Sequence, residues 1–302
     1  MKSKYLIIWI LIFLAFSVLN AQDSKAGQYG YQFLKFPISP AQAGMANTGD
    51  VISKSPLTIF HHPAAFSWQR GAMVAASQTS WLIDTNIYNI AWRNVTLQNS
   101  VGFGINYVDH GKISRITNNG IEIGFYAPIN LRATGNYSVR INPNINIGIS
   151  ANVLYEKIDT SSSLGLSSDI GFVFYTPIRY TSFDFAVKNL GISSKMDLEK
   201  TELPTVADFS LSTGFDLSDS VSFFPSVKVS YMQDHDNLLP AFGLQADIYE
   251  LFFLRIGYKL NYNEENLSAG FGVKYKNINI DYSFVNNEIE PVNMIGIGWS
   301  FN

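Results

Sequence analysis

The feature that most constrains this chain is a strict alternation in its last fifty residues. From Phe252 to Phe301, apolar or aromatic residues recur at every second position through four stretches. In the first stretch, Leu254 and Ile256 alternate with Arg255 and Gly257. A period of two indicates strands with one apolar face. The other face carries charged and amide side chains at strand centres, which is typical of a transmembrane β-barrel that is apolar outside and polar inside.

The same alternation extends back to Gly71 and predicts an all-β fold, a transmembrane antiparallel β-barrel of about 14 strands. The predicted strands cover 71–80, 86–93, 98–108, 129–141, 145–157, 164–176, 179–190, 205–216, 220–232, 238–249, 252–262, 267–276, 278–286 and 292–301. The connections sort by length, with short ones at one end of the barrel. The two longest, about 109–128 and 191–204, lie at the other end. Outer-membrane barrels have this asymmetry, with the longer loops outside.

Two segments precede the barrel. Residues 1–21 have a basic start, an apolar run from Tyr5 to Leu19 and Ala21 at the break, which predicts a secretory signal peptide. Residues 22–70 lack the alternation and are punctuated by glycine and proline. Their apolar content favours folding into the lumen. We therefore predict three parts: a signal peptide at 1–21, an N-terminal plug or hatch at 22–70, and an outer-membrane barrel at 71–302.

Composition narrows the function classes. The net charge of the 302 residues is −3, and lysine and arginine are scattered, so nothing indicates a nucleic-acid partner. The chain has no cysteine, which excludes disulfides and thiolate metal sites. The apolar outer face of the predicted barrel implies that it contacts the lipid of the outer membrane.

Several short motifs resemble the PorV/PorQ family, a branch of the FadL-like fourteen-stranded outer-membrane barrels. Residues 31–35 (Tyr-Gln-Phe-Leu-Lys) and 39–45 (Ser-Pro-Ala-Gln-Ala-Gly-Met) resemble its N-terminal motif. Residues 62–65 (His-Pro-Ala-Ala) stand where the family has Asn-Pro-Ala. Asp-Ile-Gly at 169–171 and Val-Lys-Asn-Leu-Gly at 187–191 resemble its mid-barrel motifs. The sequence of the N-terminal motif is more similar to the PorQ branch than to the PorV branch. In the motif at 62–65, His62 stands where the family has asparagine.

The resemblance implies a role in type IX protein secretion or cell-surface attachment in the outer membrane of a Gram-negative, Bacteroidetes-like bacterium. Such a barrel acts by protein–protein contacts, and exposed loops on a rigid scaffold are where partners bind. We expect secretion-system or surface-attachment proteins to bind near 109–128 and 191–204. The alternative is a FadL-like transporter of hydrophobic small molecules across the outer membrane. Fold alone does not choose between them.

No constellation indicates catalysis, a metal or a cofactor, so we predict a protein that is not an enzyme. His61-His62 and Asp234-His235-Asp236 have ligand-type side chains but lack further ligands nearby in sequence. Glycine pairs such as Gly270 and Gly272 sit within predicted strands without a following helix, so they are not phosphate-binding loops. Glycine on an inward face instead leaves room for a plug to approach.

Two sets of lumen residues are predicted. The plug and lumen set is Phe33, Leu34, Gly44, Met45, His62 and Pro63, and the inward charge network is Asp169, Asp184, Lys188, Arg255, Lys259 and Asp281. The signs of the charges are mixed. Mixed signs favour structural pairing of wall with wall or wall with plug over a selectivity lining for a charged solute.

Overall fold

A computed structural model describes residues 28–66, 70–197, 199–235, 237–262 and 265–301. The predicted signal peptide lies outside them. The strands are β1 (Gly71–Ser80), β2 (Asn86–Val95), β3 (Asn99–Asp109), β4 (Ile113–Ile116), β5 (Glu122–Tyr126), β6 (Ile129–Asn142), β7 (Ile145–Ile158), β8 (Ser161–Tyr175), β9 (Ser182–Ser193), β10 (Lys195–Met196), β11 (Glu199–Lys200), β12 (Val206–Ser212), β13 (Phe215–Ser218), β14 (Val221–Met232), β15 (Leu238–Ile248), β16 (Phe252–Lys259), β17 (Glu265–Tyr275), β18 (Ile278–Asn287) and β19 (Val292–Phe301).

Fifteen of these strands form one antiparallel sheet that closes on itself. The first strand pairs with the last, for example Ala76 with Ile297, and β12 pairs with both β9 and β14. β12 and β13 are successive parts of one barrel strand, interrupted at Thr213 and Gly214. The barrel therefore has fourteen strands and no free edge. The predicted fold class is confirmed.

The alternation of the sequence becomes the two faces of the wall. On β7, the side chains of Ile147, Ile149 and Val153 are exposed on the outside. Between them, Ser150 and Asn152 point inward and are buried. An apolar outer belt around a polar interior suits a bilayer, because each backbone group is paired within the closed sheet.

The two ends of the barrel differ. We call the end with the connections 96–98, 143–144, 176–181, 219–220, 249–251 and 276–277 the short-turn end. The other end, the long-loop end, carries two small hairpins that the sequence did not predict, β4–β5 and β10–β11. Both lie within the two connections that were predicted to be longest.

Residues 28–66, which we call the N-terminal segment, contain only short helical pieces. They are 3-10 turns at Gln32–Lys35 and Pro56–Phe60 and one α-helical turn at Pro40–Ala43. Pro40 stands at the first helical position, where its missing N–H costs nothing. Ser39 precedes it but its side chain makes no capping hydrogen bond. Among the described residues, no helix has the length and apolarity to span a membrane.

Candidate functional site in the barrel lumen and at its long-loop end

The N-terminal segment contacts the inner wall from one end of the barrel to the other. At the long-loop end, Tyr29 forms a parallel bridge with Glu202, and the Gly30 N–H donates to the Glu202 carbonyl at 3.1 Å. At the short-turn end, the Tyr175 hydroxyl donates to the Phe66 carbonyl at 3.5 Å. The lumen residues predicted from sequence belong to this segment or to the barrel wall.

An apolar cluster lies near the long-loop end. Its members come from the N-terminal segment, the wall and the loop before β12: Tyr31, Phe33, Ile87, Val108, Leu154 and Leu203. Leu34, also predicted, is half-buried against this cluster. The Tyr31 hydroxyl donates to Ser163 Oγ at 2.8 Å, and burial raises the pKa of Tyr31 above its ordinary value. This cluster anchors the start of the segment to the wall.

Inward glycines make room for the His-Pro-Ala stretch at 62–64. A Cβ added at Gly171 would lie 2.9 Å from His62 Cε1 and 3.0 Å from Pro63 Cδ. A Cβ added at Gly148 would overlap the Pro63 carbonyl. The same carbonyl accepts a hydrogen bond of 3.0 Å from Asn136 Nδ2. A larger residue at either glycine would therefore force the His-Pro-Ala stretch to shift away from the wall.

A second set of glycines receives Gly44 and Met45. A Cβ added at Gly44 would come within 3.1 Å of Gly270 Cα. One added at Gly257 would overlap the backbone of Met45 and Ala46, and the Ala46 N–H donates to Ser268 Oγ at 3.0 Å. Gly257 and Gly270 thus serve close backbone approach of the N-terminal segment, whereas a Cβ at Gly272 would meet wall side chains and one at Gly298 would meet its nearest neighbour at 3.8 Å.

Buried charges join the segment to the wall on the side of β9, β12 and β14. Lys228 Nζ lies 2.5 Å from Asp50 Oδ2, and both side chains are almost fully buried. Beside this pair, Lys188 binds Asp208 at 2.8 Å. Asp50 also accepts a hydrogen bond from Gln42. Although burial alone would raise the pKa of Asp50, the charge of Lys228 holds it below its ordinary value.

The adjacent histidines lie against this charged cluster. His62 Nε2 is 3.6 Å from Asp184 Oδ1, and neither atom has a hydrogen-bond partner among the described residues. Burial lowers the pKa of His61 to about 3 and that of His62 to about 4, so both rings are neutral at pH 7. The described residues contain no group of three or more side chains suited to a metal ion.

A third network explains the mid-barrel motifs. Arg132 Nη2 binds Asp169 Oδ2 at 2.9 Å, and Asp169 Oδ1 accepts the backbone N–H of Asn189 at 2.8 Å. Asn189 has a φ of 62°, and the register between β8 and β9 shifts next to Asp169. Asparagine tolerates this left-handed conformation better than most residues. Its side chain donates to the Pro204 carbonyl at 2.9 Å, which ties the bulge to the loop before β12.

The predicted charge network is therefore several separate pairs. Arg255 binds Asp281 at 2.6 Å near the short-turn end, and Lys259 pairs with Glu265 near the long-loop end. Neither pair belongs to the cluster around Asp184 and Lys188. The predicted residues all face the lumen side, but the structure does not bring them into one site.

Several lumen residues were missed by sequence reasoning. Arg93 is buried, and its guanidinium donates to Thr58 Oγ1 and to the Ala65 carbonyl, both at 2.8 Å. Arg93 and Arg132 occupy inward positions of their strands, so the parity of the alternation could have found them. Asp50 carries no such signal, because it lies in irregular chain.

At the long-loop end, Asp234 of the Asp234-His235-Asp236 stretch binds Lys35 of the N-terminal segment at 2.6 Å. Asp236 lies outside the described residues.

The β4–β5 hairpin exposes Ile116, Ile121, Ile123 and Phe125, each at about three-fifths of its surface (62%, 61%, 60% and 60%). Arg115 pairs with Asp159 in the neighbouring β7–β8 turn.

Comparisons with known proteins agree with this architecture. Solved barrels cover nearly the same length: a monoaromatic hydrocarbon channel, CymD (TM-score 0.59, 13% identity, 88% of this chain and 98% of that chain), and the Pseudomonas putida toluene transporter TodX (0.57, 11%, 87% and 97%). A Pseudomonas aeruginosa FadL homologue is similar as well (0.57, 12%, 88% and 99%). At these identities the likeness shows the fold. No curated protein sequence gives a significant match.

The fold defines the class, a closed fourteen-stranded outer-membrane β-barrel with the same fold as these solved barrels. The sequence adds the family: residues 59–290 match the model described as "Type IX secretion system membrane protein PorP/SprF". The chain belongs to the PorP/SprF family and is an outer-membrane protein. This family is one of secretion-system membrane proteins and not of enzymes. The match supports the type IX secretion resemblance at this level and does not single out the PorV or PorQ branch.

Proposed function

We propose that this barrel is a non-enzymatic component of type IX secretion or cell-surface attachment that binds protein partners through its long-loop end. Membership of a type IX secretion family supports this proposal. The long-loop end would face the cell exterior, because longer loops lie outside in outer-membrane barrels. We also propose that the chain is nearer to the PorQ branch than to the PorV branch, because the motif in residues 31–45 resembles PorQ more.

The observation that carries it is the β4–β5 hairpin. Ile123 and Phe125 within β5, and Ile121 just before it, recur at every second position and are mostly exposed in a hairpin that lies beyond the ends of β3 and β6. Contiguous exposed apolar residues at a surface mark interaction sites. The exposed ion pair between Arg115 and Asp159 places this hairpin next to the β7–β8 turn and contributes about 0–1 kcal/mol to that contact.

The second long loop, 191–204, is suited to bind a partner and also contacts the lumen. Its outer part, 195–200, forms the β10–β11 hairpin, while the residues that follow are tied to the barrel. The Thr201 carbonyl accepts from Ser193 Oγ at 2.5 Å, and Leu203 belongs to the apolar cluster with Tyr31. A partner bound to 195–200 would therefore contact a loop that is connected to the lumen.

The test replaces 113–126, or 195–200, by a short Gly-Ser linker in a tagged chain. These bounds spare the ladder of β9 and the contacts of Ser193 and Thr201, so the barrel should fold. We expect at least one replacement to remove the proteins that co-purify with the barrel from gently solubilised outer membranes. Unchanged recovery of every partner with both replacements would contradict the proposal.

A matched control is available at the short-turn end. Tyr249 and Glu250 are the two central residues of a turn closed by the hydrogen bond from the Leu251 N–H to the Ile248 carbonyl, and their φ values of 56° and 54° are the conformation that Asn-Gly prefers. Tyr249→Asn with Glu250→Gly changes a turn of the same barrel without touching the long-loop end. Partner recovery should be unchanged in this variant.

Transport of hydrophobic small molecules is the second candidate. Solved barrels of similar fold are described as hydrocarbon and toluene transporters, which favours it. The contacts of residues 28–66 with the inner wall count against an open path. Uptake of a labelled apolar solute by vesicles containing the barrel, above that of vesicles without it, would support this alternative.

A further inference from the structure

His62 closes a turn of the N-terminal segment with its own ring. The Ala64 N–H donates to His62 Nδ1 at 3.2 Å, across Pro63, which has no N–H of its own. Neither His62 nor Ala64 has any exposed surface (0% for both). Water therefore does not reach this hydrogen bond, and a buried N–H that lost its acceptor would destabilise the turn.

This hydrogen bond fixes where the neutral ring carries its proton. A ring nitrogen that accepts a hydrogen bond carries no hydrogen, so the proton of neutral His62 lies on Nε2. The Nε2–H faces Asp184 of β9, whose Oδ1 is 3.6 Å away. Protonation of the ring adds a hydrogen at Nδ1, directly opposite the Ala64 N–H. Two donors would then face each other, and the turn would lose its bond.

The wall holds the segment by the same turn. The Pro63 carbonyl accepts from Asn136 Nδ2 at 3.0 Å, and the Ala65 carbonyl accepts from the Arg93 guanidinium at 2.8 Å. Both carbonyls belong to residues within three positions of His62. Opening of the turn would therefore disturb at least two hydrogen bonds between the segment and the wall.

The charges near His62 are of both signs. The titratable groups around it are Asp184 and Lys188 on β9, Asp208 on β12, Lys228 on β14, and Asp50 and His61 on the N-terminal segment. Burial has the largest effect and lowers the pKa of His62 to about 4. Asp50 and Asp208 oppose this shift, and Lys228 and Lys188 add to it. The surrounding charges thus leave the ring neutral at pH 7.

We propose that His62 is an acid-sensitive latch: its neutral ring holds the N-terminal segment on the wall, and protonation at Nδ1 opens the 62–64 turn and releases the segment. The seated segment is most stable above the ordinary pKa of 6.5 and loses stability as pH falls from there toward 4. The latch acts within the lumen. It requires neither a bound partner nor a transported solute and so does not rest on the proposed function.

The test compares the pH profile of opening in the parent and in His62→Asn, measured on the full chain as the conductance of single barrels in planar bilayers. Asparagine Oδ1 can accept the N–H two residues on, as in an Asx-turn, but it does not titrate. From pH 7.5 to 4.5, a pKa of about 4 against 6.5 raises the ratio of released to seated segment about 70-fold through His62. His62→Asn should be as closed as the parent at pH 7.5, and its rise should be about 70-fold smaller.

Two further variants separate the latch from the burial of a ring. His62→Phe keeps a ring but has no acceptor for the Ala64 N–H, so it should already be open at pH 7.5. His61→Asn removes the neighbouring ring and should keep the rise that His62 causes. Heat-dependent migration on gels verifies that each variant is a folded barrel. Nitrogen NMR of the histidine-labelled parent at pH 7.5 should show the His62 proton on Nε2.

Two results would overturn the proposal. One is a His62→Asn barrel whose pH profile matches that of the parent, since carboxylates such as Asp184 would then carry the response. The other is a neutral His62 with its proton on Nδ1, because that nitrogen would not accept from Ala64. Neither measurement involves the recovery of partners at the long-loop end, so failure here and failure of the proposed function can be told apart.

Discussion

The ion pair of Asp50 with Lys228 should hold the N-terminal segment in the lumen. Asp50→Asn removes one charge and keeps an oxygen that can accept from Gln42. Both side chains of the pair are 6% exposed or less. Breaking a buried pair by removing one partner costs about 3–5 kcal/mol, because the other charge stays buried without compensation. At about 1.4 kcal/mol per factor of ten, the ratio of released to seated segment should rise roughly 150- to 5,000-fold.

The assay is the conductance of single barrels in planar bilayers. The parent should be mostly closed, and Asp50→Asn should show frequent or lasting openings. Asp50→Asn combined with Lys228→Met should close again, because the double variant leaves no buried lysine without a compensating charge. The control is Asp216→Asn, which breaks the pair with Arg179, itself 73% exposed, and should cost less than about 1 kcal/mol.

Two outcomes would refute this reasoning. One is an Asp50→Asn barrel that stays as closed as the parent and as Asp216→Asn. The other is a double variant that opens as often as the single one, since the unpaired lysine would then not be the cause.

Other predictions follow from the same contacts. Gly257→Val should release residues near Met45 and speed their hydrogen exchange, whereas Gly135→Val, facing outward, should not. Asp169→Asn should lower the denaturant midpoint of the barrel, because it leaves a buried arginine unpaired at a cost of about 3–5 kcal/mol. Because burial lowers the pKa of His61 to about 3 and that of His62 to about 4, the seated segment should lose stability as pH falls below their ordinary value of 6.5, so conductance at pH 4.5 should exceed that at pH 7.5.

Much of the wall was predictable from sequence, because period-two patterning and burial are local properties. The predicted strand 145–157 is Ile145–Ile158 in the structure, and 278–286 is Ile278–Asn287. The predicted strand 252–262 ends earlier, at Lys259, which turns inward and pairs with Glu265. Here the alternation of apolar and polar residues continues past Lys259, where the backbone pairing of β16 with its neighbours ends.

The pairings inside the lumen could not be predicted. Asp50 and Lys228 are 178 positions apart, and only the closed barrel and the course of residues 28–66 bring them together. Similarly, the sequence placed Asp169 in the inward charge set and Asn189 in a motif that resembles the family, but it did not indicate that Asp169 accepts the backbone N–H of Asn189. Such contacts depend on tertiary geometry and on which irregular segment lies in the lumen, for which periodicity gives no signal.

The most direct test of the central proposal is an affinity pull-down of the unaltered tagged barrel from gently solubilised outer membranes, followed by mass spectrometry. The proposed role predicts recovery of type IX secretion components or large cell-surface proteins in stable amounts with the barrel. Recovery of the barrel alone, with an apolar small molecule in the extract, would contradict it and favour the transporter.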